Sequence, residues 1–322
     1  MKLTTIYSHL RSDLSLVEKD LERTIGAQHS ILQDASIQLL KAGGKRIRPV
    51  FVLLSAQFGQ YDIERVKRAA VALELIHMAS LVHDDVIDDA SLRRGKATIK
   101  AQWDNRVAMY TGDYIFARSI EYITHLDNPE AHNALSEAIL EMSLGEIEQI
   151  RDQYNLNQNI RNYLRRIKRK TALLLSVSCE LGALAADADR NTLKQLKRFG
   201  YYVGMAFQIT DDILDFTGTE KQLGKPAGGD LQQGNITLPV FFAMKDPAFK
   251  EQLIQACMEQ PIERHTIDLL IRMVHENGSI EKSKQVADRY LNKAYTALDS
   301  LPDNRPKKAL LQIAEYIGKR DY

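Results

Sequence analysis

Apolar residues recur along this chain at intervals of three and four, as in Leu14, Val17 and Leu21 and again in Val71, Leu75, Met78 and Val82. That interval places them on one face of an α-helix, and no stretch alternates with the period of two that strands require. Proline is absent between Pro49 and Pro129 and between Pro129 and Pro226, so the helices can run long. The pattern predicts helices over 4–24, 30–41, 48–58, 63–89, 107–125, 129–152, 160–186 and 192–217, with four or five shorter ones from Thr237 onward. Gly43-Gly44 after Leu39-Leu40 marks a helix end, since glycine accepts the left-handed conformation there. The expected class is all-α, a helical bundle around a central active-site cavity.

Composition narrows the function classes. With 44% hydrophobic and 26% charged residues, the 322-residue chain is neither disordered nor fibrous. Its 43 basic and 42 acidic side chains leave a net charge of +1, so no global field draws it to nucleic acid or anionic lipid. Cys179 and Cys257 are far apart and lack metal-ligand spacing, which fits a reducing cytoplasm better than a disulfide framework or a zinc site. Met1 to Leu10 lacks the apolar core of a signal peptide, and no apolar run reaches membrane-spanning length. Membrane contact is expected to be peripheral at most.

The chemistry is carried by two acidic motifs of one pattern, D-D-x-x-D. The first is Asp84-Asp85-Val86-Ile87-Asp88 and the second is Asp211-Asp212-Ile213-Leu214-Asp215. On a helix the three aspartates share an arc of roughly 100° and the apolar pair lies on the opposite side. Like charges one turn apart, beside apolar sequence, call for a cation. A solvated acidic face is the bland reading of one such motif, but a second copy with the same spacing and apolar fillers argues against it. Hard oxygen donors without histidine or cysteine favour Mg²⁺, several ions of which would bridge the carboxylates to substrate phosphates. The EF-hand loop glycine and distal glutamate are missing.

Cations accompany these motifs. Gly43-Gly44-Lys45-Arg46-Ile47-Arg48-Pro49 turns on two glycines into a helix start, an arrangement suited to anions. Arg93 and Arg94 follow the first motif, Lys170-Thr171 lie in a long helix, and Lys225 follows the second motif. His77 lies two turns before Asp84, as a ligand or a packed core residue, and Gln208 precedes Asp211, pointing into the same cavity or simply buried. The glycine-rich stretch 218–234 is one candidate domain linker. The two acidic motifs make sense facing one cavity, however, so we read 1–322 as a single domain and 218–234 as an active-site loop.

In their order along the chain, the G-G-K-R-x-R-P turn, the first aspartate motif, the K-T pair and the second aspartate motif resemble the trans-isoprenyl (polyprenyl) diphosphate synthase family, from about Leu32 to the C-terminus. The segment Ile76 to His83 and the ending Tyr316 to Tyr322 look like the two-component heptaprenyl branch, in which a catalytic chain works with a smaller non-catalytic component I subunit. The resemblance implies that Asp84, Asp85, Asp88, Asp211, Asp212 and Asp215 hold Mg²⁺ and through it an allylic diphosphate such as farnesyl diphosphate. Arg93, Lys170 and Lys225 would contact the same group. Lys45, Arg48, His77 and Arg94 would hold isopentenyl diphosphate, while Thr171 and Gln208 would face the developing allylic cation. The implied product is a long all-trans polyprenyl diphosphate, heptaprenyl, for a menaquinone side chain. One departure is Asn235, which stands where many relatives carry lysine.

Ile76, Ala79 and Ser80, one to two turns before Asp84, are the candidate chain-length positions. Three rival readings remain: a self-sufficient homodimeric octaprenyl or other long-chain synthase, a terpene cyclase, and a non-catalytic regulatory subunit. A second D-D-x-x-D and the Lys45–Arg48 turn oppose the cyclase, and intact motifs oppose the regulatory subunit.

Overall fold

The computed structural model describes residues 3–219, 226–258 and 262–319, with the side chains of residues 3–5 left out. Lys225, one of the predicted phosphate contacts, and the ending 320–322 lie outside the described residues.

The helices are α1 (Leu3–His9), α2 (Arg11–Thr24), α3 (Ser30–Lys41), α4 (Ile47–Ala56), α5 (Ile63–Ile87), α6 (Ile99–Gln102), α7 (Asn105–Ile123), α8 (Pro129–Asp152), α9 (Ile160–Ile167), α10 (Leu173–Ala185) and α11 (Arg190–Thr217). After these come α12 (Gly229–Gln232), α13 (Leu238–Ala243), α14 (Pro247–Met258), α15 (Arg264–Glu276), α16 (Ser279–Asp299) and α17 (Arg305–Gly318). The all-α class is as expected.

Four local details differ from the expectation. The first predicted helix is two, α1 and α2. The predicted 160–186 helix is interrupted by a π-helical turn, Lys168–Ala172. The 218–234 stretch contains the short helix α12, and α16 runs for 21 residues.

A hairpin also interrupts the all-helical pattern: β1 (Leu92–Arg93) pairs antiparallel with β2 (Lys96–Ala97), Leu92 opposite Ala97 and Arg93 opposite Lys96. Its strands are too short for any periodicity to show. The two-residue loop, Arg94 at φ 54° and Gly95 at φ 75°, has the doubly left-handed backbone of the turn that matches strand twist.

The chain divides into two compact units, one comprising Met1–Ile139, Val177–Lys197 and Leu301–Leu310, the other Leu140–Ser176, Arg198–Ser300 and Leu311–Tyr322. In the first unit α5 is the central helix. It is buried on every side between Ala69 and Ile76 and packs against α2, α4 and α7. Asp62 caps its N-terminus by accepting from the Glu64 amide. Gly182 of α10 touches α4 so closely that an added Cβ would collide with the Val52 carbonyl.

The second unit has its own apolar core, in which Tyr163 and Ile167 of α9 meet Met205, Ile209 and Ile213 of α11 and Phe241 of α13. Asn159 caps α9 through the amides of Arg161 and Asn162. The division expected from the motif spacing, apolar side packed and aspartate side open, does not hold: at the first motif Ile87 is exposed and Asp85 buried, and at the second Asp212 and Asp215 are buried together with Ile213 and Leu214, because neighbouring elements cover the carboxylates too.

Candidate active site

In the first unit the site is built on the C-terminal half of α5. Asp85 is buried, Asp84 half-buried, and Asp88, the residue that ends the helix, exposed. Arg93, delivered by the hairpin, donates Nε to Asp85 Oδ1 at 2.7 Å, and its Nη2 stands 2.7 Å from the same oxygen. Asp89, next to the motif, pairs with Lys100. His83, adjacent to the motif, stands 3.2 Å from Asp113 of α7.

The basic turn is sorted by orientation. Gly43 closes α3 at φ 77°, and Arg46 is itself left-handed at φ 44°. Lys45 is exposed. Arg46 turns inward, forking Glu18 and donating Nη1 to Glu74 Oε1 at 3.1 Å. Burial opposes the Arg46 charge, but the hydrogen bond with Glu18 and the charge of Glu74 outweigh it and raise its pKa.

Arg48 differs from its neighbours. Its buried Nε has no hydrogen-bond partner among the described residues. Burial pulls its guanidinium down to about 10, Arg94 acts in the same direction, and Glu74 opposes both. The Arg94 guanidinium lies against Gly44, where an added Cβ would stand 2.6 Å from Nη1. His77 is held well below the usual histidine range, first by burial and then by the charges of Arg48 and Arg94. Cations gathered around a buried donor with no acceptor form a site for a polyanion.

In the second unit a row of hydrogen bonds runs from the π-helical turn to the second motif. Thr171 Oγ1 donates to Gln208 Oε1 at 2.6 Å, and Gln208 Nε2 donates to Asp212 Oδ1 at 2.8 Å. Gly204 permits this approach, since an added Cβ would come within 2.5 Å of Ala172 Cα. Lys170, on the same turn, donates to Gln149 Oε1 at 3.0 Å and stands 3.5 Å from Glu146. A π turn at such a place re-aims side chains that a regular helix would stack.

Asp211 is half-buried and Asp212 buried. Burial, then the charges of Asp230 and Asp211, push Asp212 up to about 8 although hydrogen bonds from Tyr163 and Gln208 work the other way. Asp215 is buried and accepts from the Asp230 amide at 3.1 Å.

Sequence reasoning missed Glu74, Glu146, Gln149, Tyr163, Arg166 and Asp230. None stands in a motif, and only the tertiary fold brings each to its partner. Asn235, set aside as a phosphate ligand, has its amide donating to the Asp230 carbonyl at 2.8 Å.

Comparison with known proteins follows the same pattern. The polyprenyl synthetase family model matches residues 29–274. The chain belongs to this family. It is therefore an enzyme of prenyl-chain elongation. It is 57% identical to heptaprenyl diphosphate synthase component 2 of Bacillus subtilis (strain 168), over 100% of this chain and 92% of the relative. A solved heptaprenyl diphosphate synthase from Staphylococcus aureus is 45% identical with a TM-score of 0.92, over 97% of this chain and 99% of that one. A polyprenyl synthase from Caulobacter crescentus CB15, solved in complex with calcium and isoprenyl diphosphate, is 30% identical with a TM-score of 0.94, over 99% and 98%.

The donor chemistry of the family site fits a hard divalent cation. Both motifs offer only carboxylate oxygens, and at the second burial first, then the charges of Asp230 and Asp211, raise the Asp212 pKa, an unfavourable concentration of negative charge that a bound cation would offset. Among the described residues no three such side chains form a ready-made cage. Magnesium does not require one, because it keeps several waters and shares carboxylates with substrate phosphates. No described helix is long and apolar enough to cross a membrane.

Proposed function

We propose that this chain is the catalytic component of a two-component heptaprenyl diphosphate synthase, condensing farnesyl diphosphate with successive isopentenyl diphosphates in the cytoplasm. A single functional domain, 1–322, would supply both substrate sites, and the product would serve a menaquinone side chain. The observation that carries the reading is that each D-D-x-x-D motif is tied to the polar residues expected beside it, Asp85 to Arg93 and Asp212, through Gln208, to Thr171 of the K-T pair.

Magnesium at the aspartates would neutralise the departing diphosphate and so ease cleavage of the allylic C–O bond. The chain's own residues do the rest. Arg93 holds Asp85 in place and leaves its own remaining donors for phosphate oxygens. Lys170 brings a point charge to the leaving group. Lys45, Arg48, His77 and Arg94 hold isopentenyl diphosphate by its anionic end, which leaves its double bond to attack the allylic carbon.

Thr171 and Gln208 direct oxygen dipoles toward the developing cation. The new C–C bond forms as the allylic C–O bond breaks, and the proton then lost goes to the released diphosphate. No side-chain nucleophile is needed. The component name of the Bacillus subtilis relative supports a smaller partner subunit for this chain as well.

The test is labelled isopentenyl diphosphate incorporation by the purified chain, alone and with the smaller subunit. Asp84→Asn and Asp211→Asn should each lower turnover at least about 100-fold while the circular dichroism stays helical. Near-normal magnesium-dependent turnover in both variants would overturn the two-motif reading. Full long-chain synthesis without any partner would leave the chemistry standing and replace the two-component reading by a homodimer.

A further inference from the structure

The repeated motif suggests that Asp211 and Asp212 are equivalent ligands, but their surroundings differ. Asp212 is 3% exposed and both its oxygens accept hydrogen bonds from protein, Oδ2 from the Tyr163 hydroxyl at 2.6 Å and Oδ1 from Gln208 Nε2 at 2.8 Å. Tyr163 comes from α9, not from the motif helix, and is wholly buried. Its ring is flanked by Phe241, with centroids 6.0 Å apart, and by the Arg166 guanidinium, 5.7 Å from its centroid. Arg166 is itself fixed by bonds to Gln158 Oε1 at 2.9 Å and to the Ile236 carbonyl at 2.5 Å.

A carboxylate crowded by Asp211 and Asp230 would rotate away from them if nothing held it. Two donors at fixed points hold its plane. An ionised carboxylate offers about four lone-pair sites, so two taken by protein leave about two for a metal. A tyrosine suits the task because its hydroxyl rides on a rigid ring with few torsions, and the guanidinium braces that ring.

We propose that Tyr163 is a positioning residue for the second motif: its hydroxyl, braced by Arg166, sets the carboxylate plane of Asp212 and thereby the metal affinity of the motif, without itself binding metal. This rests on the metal reading given under Proposed function. Supporting groups of this kind usually change metal affinity by about 10–100-fold when removed.

The experiment uses the full-length chain and Mn²⁺ as a spectroscopic stand-in, titrated in the presence of inorganic pyrophosphate so that binding is read without turnover. Tyr163→Phe keeps the ring and deletes only the hydroxyl. It should weaken Mn²⁺ binding about ten-fold and raise the magnesium concentration for half-maximal turnover in parallel, with a smaller change in kcat at saturating magnesium. Unchanged Mn²⁺ affinity with a lowered Tm would reduce Tyr163 to a fold-stabilising residue and overturn the proposal.

Arg166→Lys, which keeps the charge but loses the fork, should give a smaller weakening in the same direction; if Tyr163→Phe does not fold, unchanged binding in Arg166→Lys overturns the proposal. Asp211→Asn in the same titration separates the two levels. If it leaves Mn²⁺ binding intact, the metal reading itself fails. If it removes binding while Tyr163→Phe is silent, only the role of Tyr163 fails.

Discussion

Arg46 and Glu74 are joined by a 3.1 Å hydrogen bond from Nη1 to Oε1, which ties the basic turn to the central helix α5. Both side chains are nearly buried, so the middle cation of the turn is a structural residue, whereas Lys45 is exposed. Removing one partner of a buried pair leaves the other uncompensated, at a cost of about 3–5 kcal/mol. Arg46→Met should therefore lower the unfolding free energy by about 3 kcal/mol, whereas Lys45→Ala should stay within about 0.5 kcal/mol. Urea unfolding of the two variants checks this, and similar midpoints would refute the inward role of Arg46.

The two groups of cations should separate the substrates. Lys45→Ala and Arg48→Ala are expected to raise the KM for isopentenyl diphosphate, Arg48 more, because its buried Nε has no other partner among the described residues. Lys170→Ala is expected to lower kcat, since its charge matters most as the allylic diphosphate departs. Initial rates with each substrate varied in turn provide the measurement; equal small effects on both would put these cations on ordinary surface.

Chain length is best probed at Ser80. It is half-buried and one turn before Asp84, whereas Ile76 and Ala79 are wholly buried. Ser80→Phe should shorten the product. Ala79→Tyr, which the sequence also nominates for that purpose, should first cost about 1–3 kcal/mol through overpacking. Product chromatography and thermal melts distinguish the two, and an unchanged product from Ser80→Phe would place the passage elsewhere.

His77 predicts a pH dependence. Its folded pKa lies below the unfolded value, first because of burial and then because of Arg48 and Arg94. At low pH the unfolded chain therefore binds a proton that the folded chain resists. The contribution to stability is complete above about 6.5 and is lost as pH falls toward the depressed folded value, by at most about 1.4 kcal/mol per pH unit for one proton. Metal-free unfolding curves between pH 7 and pH 5 should show this slope in the wild type and a shallower one in His77→Gln.

Much of this protein could be read in its sequence because the signals are local. Helix periods survive in any context that buries one face, so Ser30–Lys41 and Pro129–Asp152 have the predicted bounds. Two D-D-x-x-D motifs declare their chemistry, but not the side each helix buries, since Ile87 is exposed while Asp85, Asp212 and Asp215 are buried. The Arg94-Gly95 hairpin is the local feature that periodicity cannot show, because strands of two residues have no period.

Other features depend on partners far away in the chain. That Arg46 donates to Glu74 while the Arg48 Nε finds no hydrogen-bond partner among the described residues is decided by packing, although the two arginines stand two residues apart in one motif. The motif treats Asp211 and Asp212 alike, yet only Asp212 receives Tyr163, 49 residues away. A carboxylate's charge belongs to its residue type and is legible in sequence. Its orientation and acidity belong to the donors, charges and burial around it, and these exist only once the chain has folded.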